Sequence, residues 1–160
     1  MQIYRAADGS RALRINSLEQ GSDSPGPLQF HYRLGHLPML LHPEPRSILM
    51  IGLGLGATAG AMAVYPNSEM TIIELHHAVV EAAEQFREAN YDVLARPNVR
   101  LEVNDGRNYL FLTNRSFDII ETDPIVPTNA GAAFLYSREY FQLARRALKR
   151  GRLRRPMDRS

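Results

Sequence analysis

The 160-residue sequence contains no cysteine. That excludes disulfides and thiolate metal sites, and it fits a reducing compartment, so a cytoplasmic setting is the expectation. No apolar run is long enough to span a bilayer. The longest, residues 48–64, is interrupted by four glycines, and the N-terminus lacks the charged-then-apolar pattern of a signal peptide. No membrane partner is expected. His36, His42, His76 and His77 show no ligand spacing with acidic partners, so no metal is expected either. There is no internal repeat. What remains is the composition of an ordinary globular protein, 44% hydrophobic and 22% charged, which argues against disorder and collagen-like repeats. A chain of this length has room for one domain with a real hydrophobic core.

The net charge of +2 conceals an uneven distribution. Eight basic residues between Arg145 and Arg159 face only Asp158, a segment charge of +7 that leaves −5 for residues 1–144. Such a tail is able to touch nucleic acid or an anionic surface. It has no interleaved aromatic residue to act as a stacking platform, so nucleic-acid binding is not expected and a solvated terminus is.

Residues 12–16 and 28–32 show approximate alternation and flank a Gly, Ser, Asp and Pro-rich stretch, 21–27, which predicts a small β-hairpin unit over residues 1–44. His42-Pro43-Glu44-Pro45 then forces an extended connection. Beyond it the pattern alternates strand and helix. Strands are predicted at 48–51, 71–75, 99–103 and 117–122, and helices at 57–65, 77–90, 106–112 and 137–149. That order predicts an α/β fold, a Rossmann-like parallel sheet with helices on both faces, over residues 45–150. A fifth strand is expected after Gly151, but residues 151–160 are too charged to form a buried one. The expectation is therefore a frame-altered or truncated terminus, with the fourth strand's edge open to a second copy of the chain or another partner.

Gly52-Leu53-Gly54-Leu55-Gly56 follows the first buried strand and opens a helix. Glycine permits a sharp turn with positive φ and lets a ligand lie against the main chain, while the helix start offers unpaired N–H groups. A purely structural tight turn needs the same residues. Glu74 ends the next strand, 22 residues after Gly52, where a carboxylate can take both hydrogens of a ribose diol or simply cap the following helix. The glycine spacing is shorter than in the dinucleotide fingerprint, which favours an adenosyl cofactor over a nicotinamide one. Asn104-Asp105-Gly106 ends the third strand; Asp105 can accept from an adenine amino group, act as an N-cap, or do both. Asp123 ends the fourth strand before Pro124, a place for a general base, for a partner to a cationic amine, or for a plain turn residue.

In their order, His36-Leu37-Pro38, His42-Pro43-Glu44-Pro45-Arg46, Ile48 to Gly56, Ile73-Glu74-Leu75, Val79-Val80-Glu81, Asp105-Gly106-Arg107-Asn108, Phe117-Asp118-Ile119-Ile120, Asp123 and Ser137-Arg138-Glu139-Tyr140-Phe141 resemble the spermidine synthase (polyamine aminopropyltransferase) family over roughly residues 10–150. The resemblance implies a β-hairpin N-terminal piece and a methyltransferase-like Rossmann sheet. It implies decarboxylated S-adenosylmethionine, or S-adenosylmethionine itself, as co-substrate and an amine as acceptor. Carried over, Glu74 holds the ribose, Asp105 with Gly106 the adenine side, Gly52, Gly54 and Gly56 the backbone approach, and Gln20 and His36 the donor's tail, with Asp123 as the catalytic aspartate. Two positions depart from the family pattern. Leu55 stands where an acid usually follows in the glycine motif, and Val126 stands where a second, amine-binding aspartate is usual. These departures place the sequence nearer the spermidine-synthase-like branch. A class I methyltransferase and a non-catalytic interaction module are the alternative expectations.

Overall fold

The computed structural model of the protein describes residues 1–15, 18–123 and 132–149. It begins with an antiparallel sheet of three strands, β1 (Gln2–Arg5), β2 (Arg11–Ile15) and β3 (Leu18–Ser22), in that spatial order. Leu13 of β2 is fully buried and packs with Leu55, Ala82, Phe86 and Ala89, which joins the small sheet to the rest of the core.

The strand expected at 28–32 is helical. It lies inside α1 (Pro25–Leu41), which starts at the N-cap Ser24 with proline in its first turn. Proline is tolerated there because the first N–H groups of a helix have no intrahelical partner, so a segment read as a loop in fact begins a helix. Leu28, Tyr32, Gly35 and Met39 recur at helical spacing and are buried or half-buried, whereas the alternation of Leu28, Phe30 and Tyr32 leaves Phe30 half exposed.

The second sheet is parallel and four-stranded: β4 (Ser47–Ile51), β5 (Glu69–Glu74), β6 (Val99–Val103) and β7 (Ile119–Thr122), in the order β6-β5-β4-β7. Between them run α2 (Ala57–Ala63), α3 (His77–Ala83) and α4 (Gly106–Leu112), and α5 (Arg138–Ala147) follows β7. The period of two along β4 divides the core. Ile48 and Met50 join Met39, Leu53, Met62, Ile72, Val79 and Ile119 on one face, while Leu49 and Ile51 join Ile73, Tyr109, Leu110, Phe117 and Tyr140 on the other. Each such buried side chain contributes about 1.5–3 kcal/mol. The predicted α/β architecture, a Rossmann-like sheet with helices on both faces, is therefore present.

The helix predicted to reach residue 90 stops at Ala83, passes through a 3-10 turn (Glu84–Phe86), and ends in a bend where Tyr91 and Asp92 have positive φ. The buried Asn90 explains the break. Its Nδ2 donates to Leu55 O and to Ala83 O, both at 2.9 Å, so it must leave the helix to reach the glycine turn. Its own carbonyl lies so close to Gly60 of α2 that any Cβ there would overlap it. On the other side of α2, a Cβ on Gly35 of α1 would stand 2.7 Å from Ala61 Cβ. Small residues thus let α2 be gripped from both sides.

Beyond α5 the chain turns alongside β7. Phe117 N–H donates to Ala147 O and Lys149 N–H donates to Phe117 O, a parallel bridge between Phe117 and Leu148. Among the described residues this isolated bridge at Phe117, two residues ahead of β7, is the pairing found on that side of the sheet. The expectations for Pro124, Val126 and the tail 150–160 lie outside the described residues. No helix among those described is long and apolar enough to cross a membrane.

Candidate active site

The chain runs from β4 outward to β5 and β6, then returns to β7 on the other side of β4. The connections leaving β4 and β7 therefore diverge, and open α/β sheets hold ligands in the crevice such a switch creates. The turn after β4 and Asp123, the residue that follows β7, meet there.

Gly52, Gly54 and Gly56 have φ of +84°, +53° and +83°. Gly52 N–H donates to Ile73 O at 2.8 Å, and Leu53 N–H donates to Glu74 Oε2 at 2.8 Å. Glu74, only 6% exposed, also accepts from His76 N–H through Oε1 at 2.9 Å. One carboxylate thus ties the turn to β5 and anchors the N–H of His76 just ahead of α3, without capping that helix. A carboxylate offers about four lone-pair sites, so acceptor capacity remains for a diol.

Asp123 N–H donates to Ile51 O at 2.8 Å, which swings its side chain over the turn. A Cβ on Gly54 would sit 2.7 Å from Asp123 Oδ2, and one on Gly52 would sit 3.2 Å from Asp123 Cβ. The turn is bare where the carboxyl lies. Burial, then repulsion from Glu74 and Glu121, pushes the Asp123 carboxyl up to about 7, against the opposing hydrogen bond from Thr58. Glu121 lies two residues earlier on β7, and burial lifts it to about 7 as well. Asp118, at the other end of this strand segment, shows how much the surroundings decide. Burial raises its proton affinity too, but Lys149 Nζ at 2.8 Å and the N–H groups of Arg46 and Ser47 prevail and hold it at about 2. A carboxyl near neutrality is matched to exchanging a proton with an amine near neutral pH.

His31 of α1 completes the cluster. Its Nδ1 is 2.9 Å from Thr58 Oγ1 and 3.8 Å from Asp123 Oδ1. Its side chain is 14% exposed, and burial lowers its pKa, which keeps the ring neutral at neutral pH. Thr58 Oγ1 donates to Asp123 Oδ1 in a long bond of 3.5 Å.

Of the residues singled out in the sequence, Gly52, Gly54, Glu74 and Asp123 come together directly. Asp105 and Gly106 stand at the adjoining strand end, where Asn104 N–H donates to Glu74 O at 2.9 Å. Asp105 caps α4 by accepting from Asn108 N–H at 2.7 Å. A Cβ on Gly106 would overlap Ile51, so packing alone requires that glycine, and Gly56 faces the Asn90 side chain. Gln20, on β3, adjoins Gly21, whose Cβ position is 3.1 Å from Leu55 Cδ1 and 3.8 Å from His31 Nε2. His36 is placed differently from the rest: its Nδ1 meets Tyr65 Oη at 3.2 Å, past the far end of α2 from the glycine turn. His31, Thr58 and Glu121 were missed. The Ser24-Pro25 helix start was the signal for His31, and an acid inside an otherwise apolar strand was the signal for Glu121.

This architecture, a parallel sheet wound on both faces with a glycine turn after β4 and acids at the ends of β5, β6 and β7, defines a methyltransferase-like Rossmann domain. An O-methyltransferase from Streptomyces achromogenes, TomG, solved with SAM, shares the fold at a TM-score of 0.56 and 21% identity, over 80% of this chain and 54% of that one. The match to one family is much closer. The spermine/spermidine synthase domain profile covers residues 28–153, and the chain belongs to that family. A polyamine aminopropyltransferase of Nitrosomonas europaea is 33% identical over 156 residues, 94% of this chain and 46% of the relative. A spermidine synthase solved in complex with the transition state analogue AdoDATO superposes with a TM-score of 0.84 at 25% identity, over 92% of this chain and 50% of that one. The chain spans about half the length of the curated relatives it matches.

Proposed function

We propose that this domain binds decarboxylated S-adenosylmethionine as co-substrate, in a cytoplasmic setting, and serves the transfer of its aminopropyl group to an amine. The observation that carries the reading is the Asp123 carboxyl, raised to about 7 and lying over the bare backbone of Gly54. In this reading Glu74 holds the ribose diol with the acceptor sites its two backbone bonds leave. Asp105 and Gly106 flank the adenine, Gly52, Gly54 and Gly56 bring the backbone close, and Gln20 lies on the side of the donor's tail. His36 was expected on the donor's tail; its ring meets Tyr65 instead, and in this reading His31, which reaches Asp123, takes that place.

The amine nitrogen bonds to the propyl carbon beside the sulfonium. The bond from that carbon to sulfur breaks, its electron pair neutralises the sulfur, and methylthioadenosine leaves. The proton lost by the amine passes to Asp123. The domain's part is to align a neutral amine in line with the breaking bond and to receive that proton.

Calorimetry with decarboxylated S-adenosylmethionine, S-adenosylmethionine and methylthioadenosine tests the reading. Binding of the decarboxylated donor and of methylthioadenosine is expected. No heat with any of the three overturns it, and a clear preference for the carboxylated donor points to methyl transfer instead.

A further inference from the structure

The two oxygens of Asp123 have different neighbours. Oδ1 faces the Thr58 hydroxyl at 3.5 Å and His31 Nδ1 at 3.8 Å, whereas Oδ2 lies above Gly54. Thr58 is the second residue of α2, two positions beyond the last glycine of the turn, and it is 2% exposed. Its hydroxyl is therefore held at a set place relative to the turn. His31 is brought to it by the close crossing of α1 on α2 at Gly35, one helical turn further along α1, where a Cβ would reach 2.5 Å from Thr58 O.

A threonine hydroxyl has one proton to give. If His31 carried its proton on Nε2, Nδ1 would draw the Thr58 proton to itself, and a hydroxyl lone pair would then face Asp123 Oδ1. If Nδ1 carries the proton, it donates to Thr58 Oγ1, and the hydroxyl proton is left for Asp123. With Asp123 ionised, the form that receives the amine's proton, only the second arrangement supplies every close pair with one donor and one acceptor.

We propose that Thr58 is a positioning residue for Asp123: its hydroxyl, oriented by His31 Nδ1–H, occupies Oδ1 and leaves Oδ2, over Gly54, as the oxygen that exchanges the proton. The inference rests on the reading of Asp123 as the base. The groups facing Asp123 are Glu74 from β5, Glu121 from β7, Thr58 from α2 and His31 from α1. Removing the Thr58 hydroxyl takes away the hydrogen bond that favours the ionised form and leaves both acidic neighbours in place.

NMR on the full chain labelled with 15N-histidine and 13C-carboxyl aspartate tests it without needing turnover. His31 is expected as the Nδ1–H tautomer. Thr58→Val is expected to raise the Asp123 titration midpoint by roughly half a pH unit to one, and Thr58→Ser, which restores the hydroxyl, to return it to the wild-type value. A merely structural threonine would not move a midpoint that serine restores. An Nε2–H tautomer in the wild-type protein overturns the proposal, and so does an unchanged midpoint in Thr58→Val. If the valine variant does not fold, the tautomer in the wild-type protein decides alone. Failure of the base reading looks different: Asp123→Asn would keep transfer activity while the tautomer and the midpoint behaved as stated.

Discussion

Replacing Asp123 by asparagine should stabilise the folded chain at neutral and alkaline pH and do little in acid. The carboxyl titrates at 3.8 in ordinary surroundings and at about 7 in the fold. Below pH 3.8 both folded and unfolded states hold the proton, and the group contributes nothing. Between 3.8 and about 7 the unfolded chain releases it while the folded chain keeps it, so stability falls as pH rises. Above about 7 the loss is constant. A rise of that size corresponds to roughly 4 kcal/mol as an upper bound, a sizeable share of the 5–15 kcal/mol that holds a typical domain together. The Asp123→Asn variant escapes this loss and relieves Glu121 of a like-charged neighbour. Urea unfolding followed by circular dichroism at several pH values between 4 and 9 measures the difference. The variant's advantage should be near zero at pH 4 and grow to about 1–4 kcal/mol above pH 8. An advantage that does not change with pH, or a variant less stable than wild type at pH 8.5, would refute the reasoning that burial and acidic neighbours hold the proton on Asp123.

Asp118→Asn should do the opposite, because its carboxyl is held at about 2 rather than 3.8. Its contribution, about 2 kcal/mol, is present above pH 4 and lost as pH falls toward 2, so wild type and variant should converge in acid melts. Gly54→Ala places a Cβ 2.7 Å from Asp123 Oδ2 at a φ of +53°, and calorimetry should show adenosyl binding weakened at least tenfold, with a stability loss of about 1–2 kcal/mol. Glu74→Gln keeps one acceptor oxygen but loses the other. Chemical denaturation should therefore show a loss of about 1–3 kcal/mol from the turn, and binding of methylthioadenosine should fall with it.

Much of the fold was legible because its signals are local. The apolar run of β4, the glycine turn directly after it and the helix from Gly106 to Leu112 follow from neighbours in the chain, and their predicted places agree with the structure to within a residue. The segment 28–32 was misread because Leu28, Phe30 and Tyr32 alternate like a strand, while the helical spacing of Leu28, Tyr32, Gly35 and Met39 has meaning only once α2 and the segment from Phe86 to Tyr91 are there to cover it. His31 was overlooked for the same reason. Its partners lie 27 residues away on α2 and at the end of β7. The helix after β5 was drawn too long because Asn90 leaves it to bind Leu55 O, a contact that sequence periodicity does not carry.

By itself the sequence determined the alternation of strand and helix, the positions that need a bare backbone, and the carboxylates that end three successive strands, since each depends on residue type and spacing along one stretch of chain. Tertiary structure alone decided which of those carboxylates share a crevice, which histidine joins them, and why Asp118 is held at about 2 while Asp123 stands at about 7 on the same segment. The reason is physical. Proton affinity is set by burial and by charges and hydrogen bonds within a few ångströms, and those neighbours come from β5, α2, the start of β4 and the residues just after α5, parts of the chain that only folding brings together.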